Sequence, residues 1–450
     1  MSFLRYQLAG LIRADSLSWV MAGLILFIIT IVSGYSHRYL AGDRNRRRHR
    51  VQVLLLAASV LTMVFADHLL LFFLAWSLSN LLLVKLMIHK NQWQAAFQSG
   101  LLAARTFGFG SVFLGLGLIL LAMNSGTARI SQIVQLTNGH TSLEFAGLLL
   151  IAIAAMTQSA SWPFHRWLTS SLNSPTPVSA LMHAGIINAG GLLLVRFGPL
   201  YASHSMLLHG LFLAGLVSAL VGTFWKLLQT DVKRMLACST MGQMGFMLMQ
   251  CGMGLFAPAI SHLCWHGLFK AYLFLNAGSV LREKRNRIPA ESITPMRFLT
   301  AFVIGICGAI LFGLTSQTSL RFQDTSSLMV IMAFMVSSQL AASLLSSGPF
   351  NLGRFTASLV LGCSAGALYG LNLLLIEFAI GSALLLQPQP LDPVYIIGFG
   401  LLFLAWIFMS LNLYSRVQSL SFWKRLYVAS LNASQPHSKT VTANRTAYQS

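Results

Sequence analysis

Charge is scarce in this chain. Only 9% of its 450 residues are Asp, Glu, Lys or Arg, against about 25% in soluble domains, and 56% are hydrophobic. A water-soluble fold is thereby excluded. Acids are the scarcest group, with 10 Asp and Glu against 30 Lys and Arg. The five cysteines, Cys238, Cys251, Cys264, Cys307 and Cys363, fall in apolar runs without CxxC spacing. They read as small core residues, not as disulfides or metal ligands. No strand precedes a phosphate-binding glycine loop; the GFG and GLG pieces within 100–123 lie in an apolar run, where they suit close helix packing. The absence of dinucleotide and cluster motifs disfavours a flavin- or quinone-binding oxidoreductase.

What is present instead is apolar sequence in runs long enough to cross a bilayer, which takes roughly 20 residues. About thirteen such spans are expected, near 17–36, 51–66, 69–89, 100–123, 145–168, 177–197, 206–229, 234–253, 258–281, 297–315, 327–346, 355–380 and 394–414. The reading is an all-α polytopic membrane protein. Residues 1–16 form an amphipathic lead, 17–414 a single transmembrane domain, and 415–450 a basic, partly disordered tail. The first span, flanked by Arg5, Arg13 and Asp15 and followed by a basic loop, has the pattern of a retained helix and not of a cleaved signal peptide.

The net charge of +20 is laid out asymmetrically. With the N-terminus outside, one side receives Arg38 to Arg50, Lys85 to Arg105, Arg166, Lys226 to Arg234, Arg282 to Arg297, Arg354 and the tail. The other keeps Arg5, Arg13, Arg129, Arg196 and Arg321. By the positive-inside rule the basic side, with the C-terminus, is cytoplasmic. The run RNRRRH at 44–49 is then a topology signal in contact with anionic lipid and not a nucleic-acid patch.

One stretch, Thr157 to Phe197, departs from plain apolar sequence. It carries proline breaks at Pro163 and at Pro175 and Pro177, together with Gln158, His183 and several Ser and Asn. A helix broken within a membrane must replace its lost backbone hydrogen bonds, so it lines a protein interior or a wet cavity. Such breaks are typical of ion and solute pathways. Beyond it, Asp231 and Lys233, also candidates for the ion pathway, mark a helix start, where an acid complements the dipole. The next span holds His262, His266 and Lys270 at i, i+4 and i+8, one face of a helix. A lysine inside a span costs several kcal/mol unless hydrated, paired or neutral, which makes it a functional candidate. Histidine titrates near neutrality, so this column can pass or hold protons. Ser77, Ser79 and Asn80 read as helix–helix contacts, and Glu377 as a helix-end residue in contact with water.

The segments PTPVSALMHA (175–184), QTDVKRMLACSTMGQMGF (229–246) and HLCWHGLFKAYLFLNAGSVL (262–281) resemble the proton-conducting membrane subunits related to the antiporter-like subunits of respiratory complex I. The resemblance covers about 60–285 well and fades afterwards. It implies two inverted five-helix repeats with broken helices, an antiporter-like core at about 60–346, and proton-relay positions at His183, His262, His266 and Lys270. Two positions depart from that pattern: Ser77 stands where the relatives carry Glu, and Gln158 where they carry Lys. A late Lys on a second broken helix has no clear counterpart.

Neither Ser77 nor Gln158 can hold charge, so the usual Glu/Lys switch cannot operate. The AWSLSNLLL and HAGIINAGG pieces look more like the DabB subunits of energy-coupled inorganic carbon accumulation complexes. That resemblance implies a non-enzymatic, multi-pass subunit of the inner (plasma) membrane, without a cofactor of its own. Protons or sodium ions flowing through it would drive a zinc-containing, carbonic-anhydrase-like cytoplasmic partner, DabA. Two alternatives stay open: a proton-pumping subunit of a complex I, membrane hydrogenase or multisubunit cation/proton antiporter, and a membrane scaffold.

Overall fold

The computed structural model describes residues 10–136, 141–278, 294–318, 321–381 and 387–441. Most of the amphipathic lead, the charged 282–293 loop and the end of the tail lie outside the described residues. The long helices are α1 (Ser16–Tyr39), α2 (Arg46–Phe65), α3 (Leu69–Met87), α4 (Gln94–Ser125), α5 (Ser142–Gln158), α6 (Thr176–Ala184), α7 (Ala189–Arg196), α8 (Ser205–Leu228), α9 (Val232–Gly252) and α10 (Phe256–Leu275). They continue with α11 (Pro295–Ser316), α12 (Ser327–Leu345), α13 (Leu352–Ile380), α14 (Pro393–Ser410) and the amphipathic α15 (Ser421–Ala433).

Ten segments among the described residues are long and apolar enough to cross a membrane, one of them being the interrupted run Thr176–Arg196. About thirteen were expected, and helices occupy the other three positions too. Of these, α5 is apolar but shorter. The other two, α9 and α10, carry the polar residues singled out in the sequence.

Helix ends follow from local chemistry. Asp15 caps α1 by accepting from the Ser18 backbone N–H at 2.9 Å, and His37 and Arg38 lie in its last turn, where cations suit the dipole. The Thr141 hydroxyl caps α5 through Glu144 N–H at 3.1 Å, and Asp231 does the same for α9 through Arg234 N–H at 2.9 Å. The Asp15 carboxylate also pairs with Arg196 at the end of α7. That guanidinium donates further to Ser18 Oγ at 2.7 Å and to the Val64 carbonyl at 2.6 Å. Burial opposes the Asp15 charge, yet Arg196 and Ser18 together hold its pKa below the ordinary value.

The described residues fall into two compact units, one built from Met1–Gly252, His262–Leu281 and Leu431–Ser450, the other from Met253–Ser261 and Arg282–Ser430. In the first, α2 packs on α3, α4 on α5, and α8 on α9. Two of the α4 glycines serve packing, as expected: a Cβ on Gly117 would lie 2.8 Å from the Gly147 carbonyl of α5 and one on Gly110 would run into Thr157, while Gly108 faces open space. In the second, α11 packs on α12 and α13. All five cysteines are free; Cys238 and Cys251 are buried and the others half-buried. Glu377 is half-buried near the end of α13.

Candidate functional site

The polar site grows out of an interrupted helix. α5 stops at Gln158, and the chain runs through the cis Trp162–Pro163 bond to a short turn at Arg166–Thr169 before α6 begins. The carbonyls and amides left by the break find partners. Trp167 Nε1 donates to the Thr157 carbonyl at 3.0 Å, Ser159 Oγ to the Ile187 carbonyl at 3.2 Å, and the Trp162 N–H to Ser218 Oγ at 3.1 Å. Pro175 and Pro177 do not break a helix; they start α6, in whose first turn a missing N–H costs nothing. The further interruption falls at Gly185–Asn188, between α6 and α7, where no proline announces it. Asn188 Nδ2 bridges it by donating to the Ala184 carbonyl at 2.9 Å and to the Leu263 carbonyl of α10 at 3.3 Å.

His183 sits in the last turn of α6, 1% exposed. Its Nδ1 lies 3.0 Å from Thr240 Oγ1 of α9, and its ring stacks on Phe274 of α10 at 4.2 Å. The Thr240 hydroxyl donates to the Leu236 carbonyl at 3.0 Å. Its oxygen is therefore left to accept from His183 Nδ1–H. The same carbonyl accepts from Lys270 Nζ at 3.1 Å. Lys270 is 1% exposed, and among the described residues it forms no ion pair.

His262 and His266 extend the lysine's face over about 12 Å of helix. Their rings stack at 5.9 Å with an interplanar angle of 12°, and the buried Nε2 of each has no hydrogen-bond partner. Buried polar groups are ordinarily paired, so these two nitrogens stand out as unsatisfied groups on the column. The Leu236 carbonyl can only accept. It anchors Lys270 and Thr240, and the hydroxyl and imidazoles are the groups able both to take and to give a proton.

Gln158 ends α5 beside the same broken segment. Its Nε2 donates to Asn80 Oδ1 of α3 at 2.9 Å and reaches the Ile186 carbonyl at 3.5 Å. Gln158 Oε1 and Asn80 Nδ2 are buried without partners, as is Ser77 Oγ. Gln158, which stands where the family pattern has Lys, thus forms a neutral amide pair with Asn80 and not with Ser77, which stands where that pattern has Glu. Lys233 Nζ donates to the Ser174 carbonyl at 3.0 Å, just before Pro175. Asp231 acts as the α9 cap. Asn80 makes a helix–helix contact, as read from the sequence; the contacts of Thr240 and the Leu236 carbonyl with His183 and Lys270 were not anticipated. Among the described residues no group of three or more His, Cys, Asp or Glu is placed to hold a metal ion.

A broken helix thus lies beside the His262–His266–Lys270 column in an all-helical multi-pass membrane chain. Residues 66–353 match the family described as "NADH:quinone oxidoreductase/Mrp antiporter, TM". The chain is 37% identical to the "Probable inorganic carbon transporter subunit DabB1" of Halothiobacillus neapolitanus over 61% of its length and 51% of that protein. It is 35% identical to the "Probable inorganic carbon transporter subunit DabB" of Bacillus subtilis over 78% of its length and 69% of that protein. The chain thus spans about half of the first relative's length. The Mrp complex of Dietzia sp. DQ12-45-1b shares the fold, with a TM-score of 0.56 and 24% identity over 95% of this chain and 45% of that one. The chain therefore belongs to the NADH:quinone oxidoreductase/Mrp antiporter transmembrane family and, within it, to the DabB-type subunits.

Proposed function

We propose that this chain is the energy-coupling membrane subunit of an inorganic carbon accumulation complex. Protons or sodium ions entering from outside run down their gradient through it. Their flow drives the hydration of carbon dioxide to bicarbonate and a proton in a zinc-containing, carbonic-anhydrase-like cytoplasmic partner of the DabA type. The subunit lies in the plasma membrane with its basic side and C-terminus in the cytoplasm, and needs no cofactor of its own.

The observation that carries this reading is Lys270: buried, without an acid partner, and hydrogen-bonded at the α6–α9–α10 junction. A lysine in that position is hard to account for as packing alone. With Gln158 and Asn80 neutral, charge storage falls to Lys270, with His266 and His262 along one face and His183 linking the column to the broken segment. A unit charge crossing about 100 mV yields roughly 2.3 kcal/mol, enough to bias a hydration equilibrium.

Similarity to "NADH-quinone oxidoreductase subunit L" of Escherichia coli, at 35% identity over 58% of this chain, favours a second reading, a proton-pumping subunit. Ser77 and the Gln158–Asn80 amide pair weigh against it.

The test is to express the chain with its genomic neighbour in a carbonic-anhydrase-deficient bacterium, scoring growth in air with and without an uncoupler. Rescue that needs the neighbour, the gradient and Lys270 is expected, with Lys270→Ala assembling but failing to rescue. No rescue by a well-assembled native pair would turn the assignment to the proton-pump reading.

A further inference from the structure

The basic run after α1 does more than set topology. The end of α1 and the start of α2 enclose a cavity of about 300 Å³, lined at its polar end by Ser36, His37, Arg46, His49 and Arg50. Arg46 and Arg50 stand one turn apart at the N-terminus of α2, where the helix dipole adds positive potential. Among the described residues neither forms an ion pair. His49 is 2% exposed, yet both of its ring nitrogens lack hydrogen-bond partners, as do Arg46 Nε and Ser36 Oγ.

The one acid in this loop, Asp43, is engaged elsewhere. It accepts from the Asn45 N–H at 2.7 Å and lies 3.2 Å from His89 Nε2. Partial burial opposes its charge, but those two contacts hold its pKa below the ordinary value, so it stays a carboxylate paired with His89. The cavity thus combines two free guanidiniums and an unpaired buried imidazole with no acid in its lining.

One turn further along α2 the lining becomes apolar, through Val53 and Leu54. Leu54 is 57% exposed and the neighbouring Val51 50%, so this wall continues onto an apolar outer face. A small free oxyanion has no use for such a wall. An oxyanion carrying hydrocarbon does, and basic pockets between membrane helices suit anionic lipid headgroups.

We propose that the α1–α2 cavity is a specific site for an anionic phospholipid, its phosphate held by Arg46, His49 and Arg50 and an acyl chain laid along Val53 and Leu54. The assignment is independent of the ion-coupling role.

The full-length chain in neutral detergent is titrated with dioleoyl phosphatidylglycerol, dioleoyl phosphatidylcholine, sodium phosphate and sodium bicarbonate. Binding is read by native mass spectrometry and thermal unfolding. Saturable retention of phosphatidylglycerol alone is expected. Arg46→Gln with Arg50→Gln should weaken it roughly 30-fold, at about fivefold per arginine, while Arg47→Gln with Arg48→Gln, of equal charge change, should weaken it less than about threefold. Ser33→Phe, which fills the cavity without changing charge, should abolish retention outright; it provides the test if the double arginine variant does not fold. Equal weakening by both arginine pairs, retention of phosphatidylcholine, or unchanged binding in Ser33→Phe would overturn the proposal. Stabilisation by phosphate or bicarbonate alone would do so as well, and would mark a site for a free anion.

Discussion

The two compact units bury different chemistry. In the first, the interrupted run Thr176–Arg196 is 94% buried, and Lys270, His183, His266, Gln158, Glu144 and His204 all lie out of solvent. In the second, every buried polar residue among those described is a serine or threonine, from Ser316 and Thr325 to Ser337, Ser338 and Ser358. Its helices α13 and α14 run unbroken and only 22% and 17% buried. Buried ionisable groups need fixed acceptors and donors, and a carbonyl with two lone pairs can serve one even inside an intact helix, as Leu236 of α9 does for Lys270. Interrupting helices in the first unit frees further acceptors and donors. The second unit, like the first, packs through small residues: Ser358, Gly362, Gly366 and Gly370 form one buried face of α13, and a Cβ on Gly366 would run into the Gly308 backbone of α11.

This contrast can be broken most severely in the first unit. Replacing His262, His266 and Lys270 together by Leu, Leu and Met should abolish carbon-dependent growth to the level of an empty vector while leaving membrane insertion and partner binding intact. A scaffold would tolerate the change, so normal growth would refute the conduit reading. In the second unit, Gly366→Leu should cost about 1–3 kcal/mol through overpacking, seen as a lower melting temperature, with ion flux per folded molecule unchanged. Flux lost out of proportion would show that the second unit shares the conduit.

Asn80→Leu, which strands the Gln158 amide, should destabilise by about 1 kcal/mol in thermal unfolding. The smallest effect is expected at Asp15. Its depressed pKa makes its stabilising contribution complete above the unfolded value near 3.9 and lost as pH falls through the lower folded value. The native protein should therefore lose more melting temperature than Asp15→Asn between pH 6 and pH 3. Parallel slopes would show that the Arg196 contact contributes nothing.

The first unit was also the harder one to read from sequence. Helix positions and the all-α membrane class follow from run length and charge alone, because burial in lipid imposes both. The His262–His266–Lys270 column was legible because its spacing is local to one helix. The Gln158–Asn80 pair joins positions 78 residues apart and the His183–Thr240 contact spans 57; no local pattern encodes either. The break at Gly185–Asn188 was missed because it lacks a proline. The Arg46–Arg50 cavity was missed because a basic loop satisfies the topology rule whether or not it folds inward.

The proposed conduit runs through the Lys270 column. The most direct measurement is flux into proteoliposomes holding the purified native complex, with a pH-sensitive or sodium-sensitive dye inside and a potassium diffusion potential imposed. Flux is expected in the native complex, and none above protein-free vesicles in Lys270→Met. Equal flux in the two would rule that conduit out.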